Sequence, residues 1–254
     1  MQSNLRFSNI LGVHINALNI TNTLNIIENW IEQKNNNYIC VTPAHSIMDC
    51  YKDFELRNIF NQSGLTTPDG MAVVWIMRLM GFKETGRVYG PDLMNSVCKL
   101  SESKGWKHFF YGSAPGVVES LKQRLSFRFP GLCVVGNYCP PFRELTKEED
   151  DQIIQQINQS GADIIWVGIS SPKQERWMYN HLGKINAPVM IGVGAAFDFL
   201  SGNKKQAPLW IQRSGFEWLY RFLQEPKRLW PRYKKYPLFI VLVLLQLLGI
   251  KDYS

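Results

Sequence analysis

Through its first two hundred residues the chain alternates short β-branched and aromatic runs with segments of helical periodicity, a pattern that few folds accommodate. Strands are predicted at Ile10–Leu18, Tyr38–Thr42, Lys107–Tyr111, Leu132–Val135, Asp163–Val167 and Pro188–Val193. Helical patterns lie near Thr21–Gln33, Asp53–Gln62, Met71–Met80, Pro91–Ser103, Pro115–Phe127, Thr146–Gln159 and Pro172–Leu182. Several open on proline or a capping residue, as helix starts do. Strands spaced by helices imply βαβ units and a mainly parallel, doubly wound α/β sheet. With 45% hydrophobic and 19% charged residues the chain suits a globular core.

Ligands of such sheets bind at loops leaving the carboxyl ends of strands. Four junctions here carry suitable chemistry: Val41-Thr42-Pro43-Ala44-His45, Tyr111-Gly112-Ser113-Ala114-Pro115-Gly116, Val167-Gly168-Ile169-Ser170-Ser171-Pro172 and Gly192-Val193-Gly194-Ala195-Ala196. Small residues with a hydroxyl ahead of a helix let backbone N–H groups approach phosphate. Familiar nucleotide motifs are missing. Phe197 stands where a dinucleotide fingerprint needs a small residue, and no GxxxxGK[ST] occurs. GISSP is no nucleophile elbow, and His14, His45, His108 and His181 offer it no clear partner. Without a DxD pair, a metal-bridged diphosphate has no obvious ligand pair. The five cysteines (Cys40, Cys50, Cys98, Cys133, Cys139) form no CxxC pair, which argues against zinc and redox sites and favours a reducing, cytoplasmic setting. The opening MQSNLRFSNILG lacks the charged and apolar regions of a secretory signal.

One carboxylate stands out. In TTPDGMAVVWIMRLMG an apolar helical run is entered through Pro68-Asp69-Gly70, and Asp69 is its only acid. An aspartate there suits a helix N-cap or a general base, and the local pattern fits both.

The tail differs in kind. Residues 201–254 hold ten of the 28 Lys and Arg but only three of the 21 Asp and Glu, so the whole net charge of +7 lies there. A basic, aromatic block, GFEWLYRFLQEPKRLWPRYKKYP, precedes the apolar run Leu238–Ile250. Thirteen residues are too few to span a bilayer, for which a helix needs about 20. The combination reads as an interfacial segment on an anionic membrane surface, the alternative being a helix docked on the core. Nucleic acid fits poorly, having no use for the apolar run. The expected division is an α/β catalytic domain over 1–200 and a membrane-associating appendage over 201–254. A homo-oligomer interface is another use for the same apolar surface.

TPDGMAVVW, RVYGPDLM, FFYGSAPG, GISSPKQERWM, GVGAAFDFLSGNKKQAPLW and GFEWLYRFLQEPKRLWPRY together resemble the WecG/TagA/CpsF family of bacterial glycosyltransferases, from about Leu11 to Tyr233. The resemblance implies a Rossmann-like fold that needs neither metal nor cofactor. It implies inverting transfer of a sugar from a UDP-sugar to a polyprenyl-diphosphate-linked sugar, for cell-surface polysaccharide or teichoic acid, by a peripheral protein on the cytoplasmic membrane face. Under it Asp69 is the general base and Thr42 an active-site residue for the sugar or acceptor hydroxyl. Gln174 would contact the donor, Arg87 a diphosphate, and Gly112, Ser113 and Gly168 the nucleotide. Asp198 would hold the ribose or structure its loop. Arg213, Arg221, Arg228 and Arg232 would complete the site when the tail meets a membrane. Many relatives carry asparagine two residues after the threonine. This chain has Ala44 and then His45, which leaves the donor sugar open and makes His45 a candidate polar contact. The competing reading is a non-catalytic nucleotide-sugar- or lipid-binding protein.

Overall fold

The computed structural model describes residues 5–253, so the first four residues of the expected leaderless N-terminus and Ser254 lie outside it. The described chain contains a six-stranded sheet in the order β4-β3-β8-β7-β5-β6. Its strands are β3 (Asn37–Thr42), β4 (Leu65–Pro68), β5 (Lys107–Gly112), β6 (Cys133–Tyr138), β7 (Ile164–Gly168) and β8 (Val189–Gly192). The pairings β3–β8, β8–β7, β7–β5 and β5–β6 are all parallel. Helices flank it, so the expected α/β, Rossmann-like architecture is the one observed. Strands such as Ile164-Ile165-Trp166-Val167 are buried along almost their whole length, as parallel strands covered on both faces must be.

Contacts divide the chain into two compact units. One holds residues 20–40 and 90–205, with α1 (Ile20–Gln33), α5 (Gly90–Lys104), α6 (Val117–Arg128), α7 (Lys147–Ser160), α8 (Lys173–His181) and α9 (Ala196–Leu200). Its helix ends follow local chemistry. Thr146 and Glu149 form a reciprocal capping box at the start of α7, and Gly161 closes that helix in a left-handed conformation. His108 is wired into the core as a neutral ring: its Nδ1 accepts from Trp166 Nε1 at 2.9 Å, and its Nε2 lies 2.9 Å from Ser101 Oγ. Burial pushes this histidine down to about 3.

The other unit joins residues 1–19, 41–89 and 206–254. It holds the hairpin β1 (Phe7–Ile10) and β2 (Val13–Asn16), the helices α2 (Ala44–Lys52), α3 (Phe54–Asn61) and α4 (Met71–Leu79), and strand β4. The tail adds α10 (Leu209–Arg213), α11 (Glu217–Gln224), α12 (Pro226–Tyr233) and α13 (Tyr236–Leu247). The single strand predicted at Ile10–Leu18 is instead this hairpin. Leu11 and Gly12, with φ of 53° and 89°, make the two-residue turn that right-twisted strands require. Strand β4 and helix α2 were absent from the predicted elements.

The tail helices are tied down within this unit. Phe239, Leu242 and Val243 of α13 are buried, and α13 packs against α2. Lys235 pairs with Asp49 of α2. The Gln246 amide accepts from Leu11 N at 3.0 Å and donates to the Asn9 carbonyl at 2.9 Å. Opposite the buried stripe, Ile240, Val241, Leu244 and Leu248 are exposed. Among the described residues no helix is long and apolar enough to cross a membrane. Gln246→Leu strands both hairpin groups, each costing about 1–3 kcal/mol when buried without a partner. It should lower the melting temperature and speed hydrogen exchange in α13, as mass spectrometry would read it.

Candidate active site

Asp69 follows the last residue of β4, and its backbone N–H donates to the Thr42 carbonyl at 3.1 Å. That bond sets the carboxylate beside the end of β3, where Thr42 is fully buried. Asp69 is not the cap of α4. Gly70 holds that position at φ 85°, so the aspartate side chain is left for other work. Helix α4 buries Val73, Val74 and Met77, and Trp75 packs so closely on Gly215 that a Cβ there would lie 2.5 Å from the indole. The apolar character of this helix therefore serves both the core and the tail loop.

Around Asp69 the tail supplies charge. Arg87 Nε stands 3.6 Å from Asp69 Oδ1, an ion pair too long for a hydrogen bond, and the buried Nε has no hydrogen-bond partner. Arg87 Nη2 binds the Glu217 carboxylate, and the guanidinium lies 4.0 Å above the Tyr89 ring. Burial raises Asp69 to about 6; Arg87 and Arg221 draw it down, and Glu217 pushes it further up. Burial works against the charge of Arg87, but Asp69 and Glu217 outweigh it and its pKa is raised. Tyr89 is driven well above its usual range by burial and by Glu217.

His45, at the start of α2, has a buried Nδ1 without a hydrogen-bond partner. Burial first, then Arg232, Arg221 and Lys235, lower it to about 3, so the ring is neutral at working pH. Arg221 and Arg232 thus share the environment of Asp69 and His45. Arg228 is exposed and forks onto Glu225, and Arg213 is exposed at the end of α10.

The remaining sequence candidates belong to the other unit. Gly112 and Gly168 end the paired strands β5 and β7, where Ser113 N donates to the Gly168 carbonyl at 3.1 Å. A Cβ on Gly112, whose φ is 128°, would lie 2.6 Å from the Gly168 carbonyl carbon, so no larger residue fits. Ser113 and Ser170 both adopt positive φ, at 65° and 73°. Gln174 is buried, donates through Nε2 to Glu175 Oε1 at 2.9 Å, and leaves Oε1 without a partner. Its amide lies against the Gly192–Gly194 turn, 2.9 Å from where a Gly192 Cβ would stand. Asp198 pairs with Lys204 Nζ at 3.3 Å and Asn203 Nδ2 at 3.3 Å, contacts that fasten its own loop. Among the described residues no three His, Cys, Asp or Glu side chains gather as a metal site.

Comparison with known proteins then decides the kinship. The family described as "Glycosyl transferase WecG/TagA/CpsF family" matches residues 8–253. This chain belongs to that family. The glycosyltransferase is 27% identical over 227 residues to the Bacillus subtilis (strain 168) protein named N-acetylglucosaminyldiphosphoundecaprenol N-acetyl-beta-D-mannosaminyltransferase, covering 89% of this chain and 86% of the relative. A Staphylococcus aureus (strain MW2) protein of the same name is 29% identical over 244 residues, covering 94% and 92%. The relatives are hexosyltransferases by name, and hexosyl transfer is the enzyme class of this chain.

Two residues of the site escaped the sequence reading, Glu217 and Tyr89. Tyr89 sits inside the quoted RVYGPDLM, two residues after Arg87, which was the available signal. The carboxyl of Asp69 shifts from 3.8 to about 6 on folding. The folded state therefore holds the proton more tightly, and stability falls as pH rises through that window, by roughly 3 kcal/mol at most. Asp69→Asn should raise the melting temperature at pH 8 and leave it nearly unchanged at pH 4, as calorimetry at the two values would show.

Proposed function

We propose that this glycosyltransferase moves a hexosyl group from a UDP-sugar to a hydroxyl of a polyprenyl-diphosphate-linked sugar, with inversion, without a metal, and with Asp69 as base. The reading is supported above all by one observation: a half-buried carboxylate at a strand end, raised to about 6 beside a fixed guanidinium. A base of that strength is ionised at neutral pH yet still has appreciable proton affinity, which suits proton abstraction. The relatives' names supply the chemistry of the acceptor, a sugar on a diphosphate-linked polyprenol, and nominate N-acetylmannosamine as the first donor sugar to try.

Asp69 takes the proton of the acceptor hydroxyl as its oxygen bonds to the anomeric carbon. The bond from that carbon to the nucleoside diphosphate breaks on the opposite face, and the electron pair leaves with the phosphate. Arg87, Arg221 and Arg232 are assigned to phosphate charge, for which the planar guanidinium fork is suited. Nucleotide recognition is assigned to Gly112, Ser113, Gly168 and the unpartnered Oε1 of Gln174, which is an acceptor for a donor N–H or O–H. Thr42 and the neutral ring of His45 are assigned to sugar hydroxyls. Arg213, Arg228 and the exposed stripe Ile240, Val241 and Leu244 are assigned to an anionic membrane surface on the cytoplasmic side, where a lipid-linked acceptor is met.

The test is UDP release with a lipid-diphosphate-linked N-acetylglucosamine and a panel of UDP-sugars, on wild type and Asp69→Asn. One donor should give acceptor-dependent turnover that the variant loses by ~10² or more while it still binds UDP. Equal turnover by the variant removes Asp69 from the chemistry. UDP-sugar binding without turnover for any donor favours the non-catalytic binding protein. For the membrane assignment, the paired substitution Ile240→Asp and Leu244→Asp should abolish sedimentation with anionic phospholipid vesicles while UDP binding persists.

A further inference from the structure

Arg87 serves two carboxylates, and the way they divide it is unequal. Glu217 binds Nη2, whereas Asp69 faces Nε across 3.6 Å without a hydrogen bond. The Tyr89 ring, 4.0 Å beneath the guanidinium, fixes its plane. Glu217 is only 8% exposed and is the first residue of α11, so its position is set by the tail helix and not by solvent.

A guanidinium largely withdrawn from solvent seeks its counter-ion. Given Asp69 alone, it would close to the 2.7–2.9 Å of a charge-assisted pair and tie up the carboxylate oxygens. We propose that Glu217 is a positioning residue: by holding Arg87 through Nη2 it keeps the guanidinium off Asp69 and leaves that carboxylate free to accept a proton. The tail thereby contributes more than phosphate-binding arginines; it contributes an acid that sets the state of the base. This rests on Asp69 being the base. The groups that face Asp69 are Arg87 and Tyr89 from the segment after α4, Glu217 and Arg221 from α11, and Tyr236 from α13. Of these, Glu217 alone both touches Arg87 and carries negative charge.

The consequence is directional. With Glu217 neutral, Arg87 belongs to Asp69 entirely, and the carboxyl holds its proton less tightly. An opposite charge brought into contact lowers a carboxyl by about 1–3 units. The experiment follows the side-chain carboxyl of Asp69 by carbon-13 NMR titration of the substrate-free, full-length protein, with Asp69→Asn identifying the signal. Wild type should titrate near 6, and Glu217→Gln lower by about one unit or more. The acid limb of acceptor-dependent kcat should move the same way, whatever fraction of the variant is active. An unmoved midpoint overturns the proposal, even if the rate falls.

A second pair of variants separates positioning from bare charge. Arg87→Gln is compared with the double variant Arg87→Gln with Glu217→Gln, which removes the ion pair as a unit and leaves neither of its charges bare. Their midpoints should differ by clearly less than Glu217→Gln shifts the wild type, because only the direct charge of Glu217 on Asp69 remains once Arg87 is gone. If neutralising Glu217 shifts Asp69 as far without Arg87 as with it, the guanidinium is not the link and the proposal fails. The titration needs no turnover. Asp69→Asn with undiminished turnover would instead sink the assignment of the base, so the two failures stay distinct.

Discussion

A single half-buried guanidinium, shared between Asp69 and Glu217, is what the tail-bearing unit is organised to hold. Arg87 is stable there only while it keeps a carboxylate, since stripping a desolvated guanidinium of its partner leaves a costly bare charge. The requirement explains the anchoring of the tail. Lys235 on Asp49, the α13 stripe on α2 and the two Gln246 hydrogen bonds all fix where α11 begins, and with it Glu217. The same anchoring sets Arg221 and Arg232 near Asp69 and His45. An amphiphilic tail whose only task was to touch a membrane would need none of these specific bonds.

The other unit shows a different economy, in which backbone does most of the work. A side chain at Gly112 would run into the Gly168 backbone and one at Gly168 into the Phe197 ring, and Ser113 and Ser170 turn the chain through left-handed conformations. Such loops present N–H groups and hydroxyls at strand ends, the arrangement that parallel sheets offer to phosphates. Gln174 is the exception: a buried side chain with an unsatisfied acceptor, lodged against the Gly192–Gly194 turn. Unsatisfied buried acceptors are uncommon in folded proteins and call for a partner.

Much of this is legible in the sequence, and what is not has physical causes. The strand–loop–helix junctions announced themselves because apolar runs ending in Gly, Ser and Pro are local signals. β4 was missed because Leu65-Thr66-Thr67-Pro68 is short and carries a proline, which propensity scores against a strand. The hairpin was read as one strand although Leu11-Gly12 lay at its centre, a turn whose glycine was the visible cue. Helix α2 is hidden in the sequence because Pro43-Ala44-His45 has the composition of a strand-end junction. Asp69 could be named from Pro68-Asp69-Gly70, but not its environment. Glu217 lies 130 residues from Arg87, and no local pattern reports a contact over that distance. Nor does sequence reveal that Gly70, not Asp69, takes the cap.

Membership of the WecG/TagA/CpsF family sets the chemistry in outline, and the setting of Asp69 supports the proposed base, which a titration can contradict. The most direct measurement is the pH dependence of kcat/KM for the wild-type enzyme, which reports the groups of the free enzyme. If the Asp69 carboxylate is the base, the rate falls on acidification with a limb centred near 6. A rate that stays level down to the ordinary carboxylate range, near 4, would contradict the account.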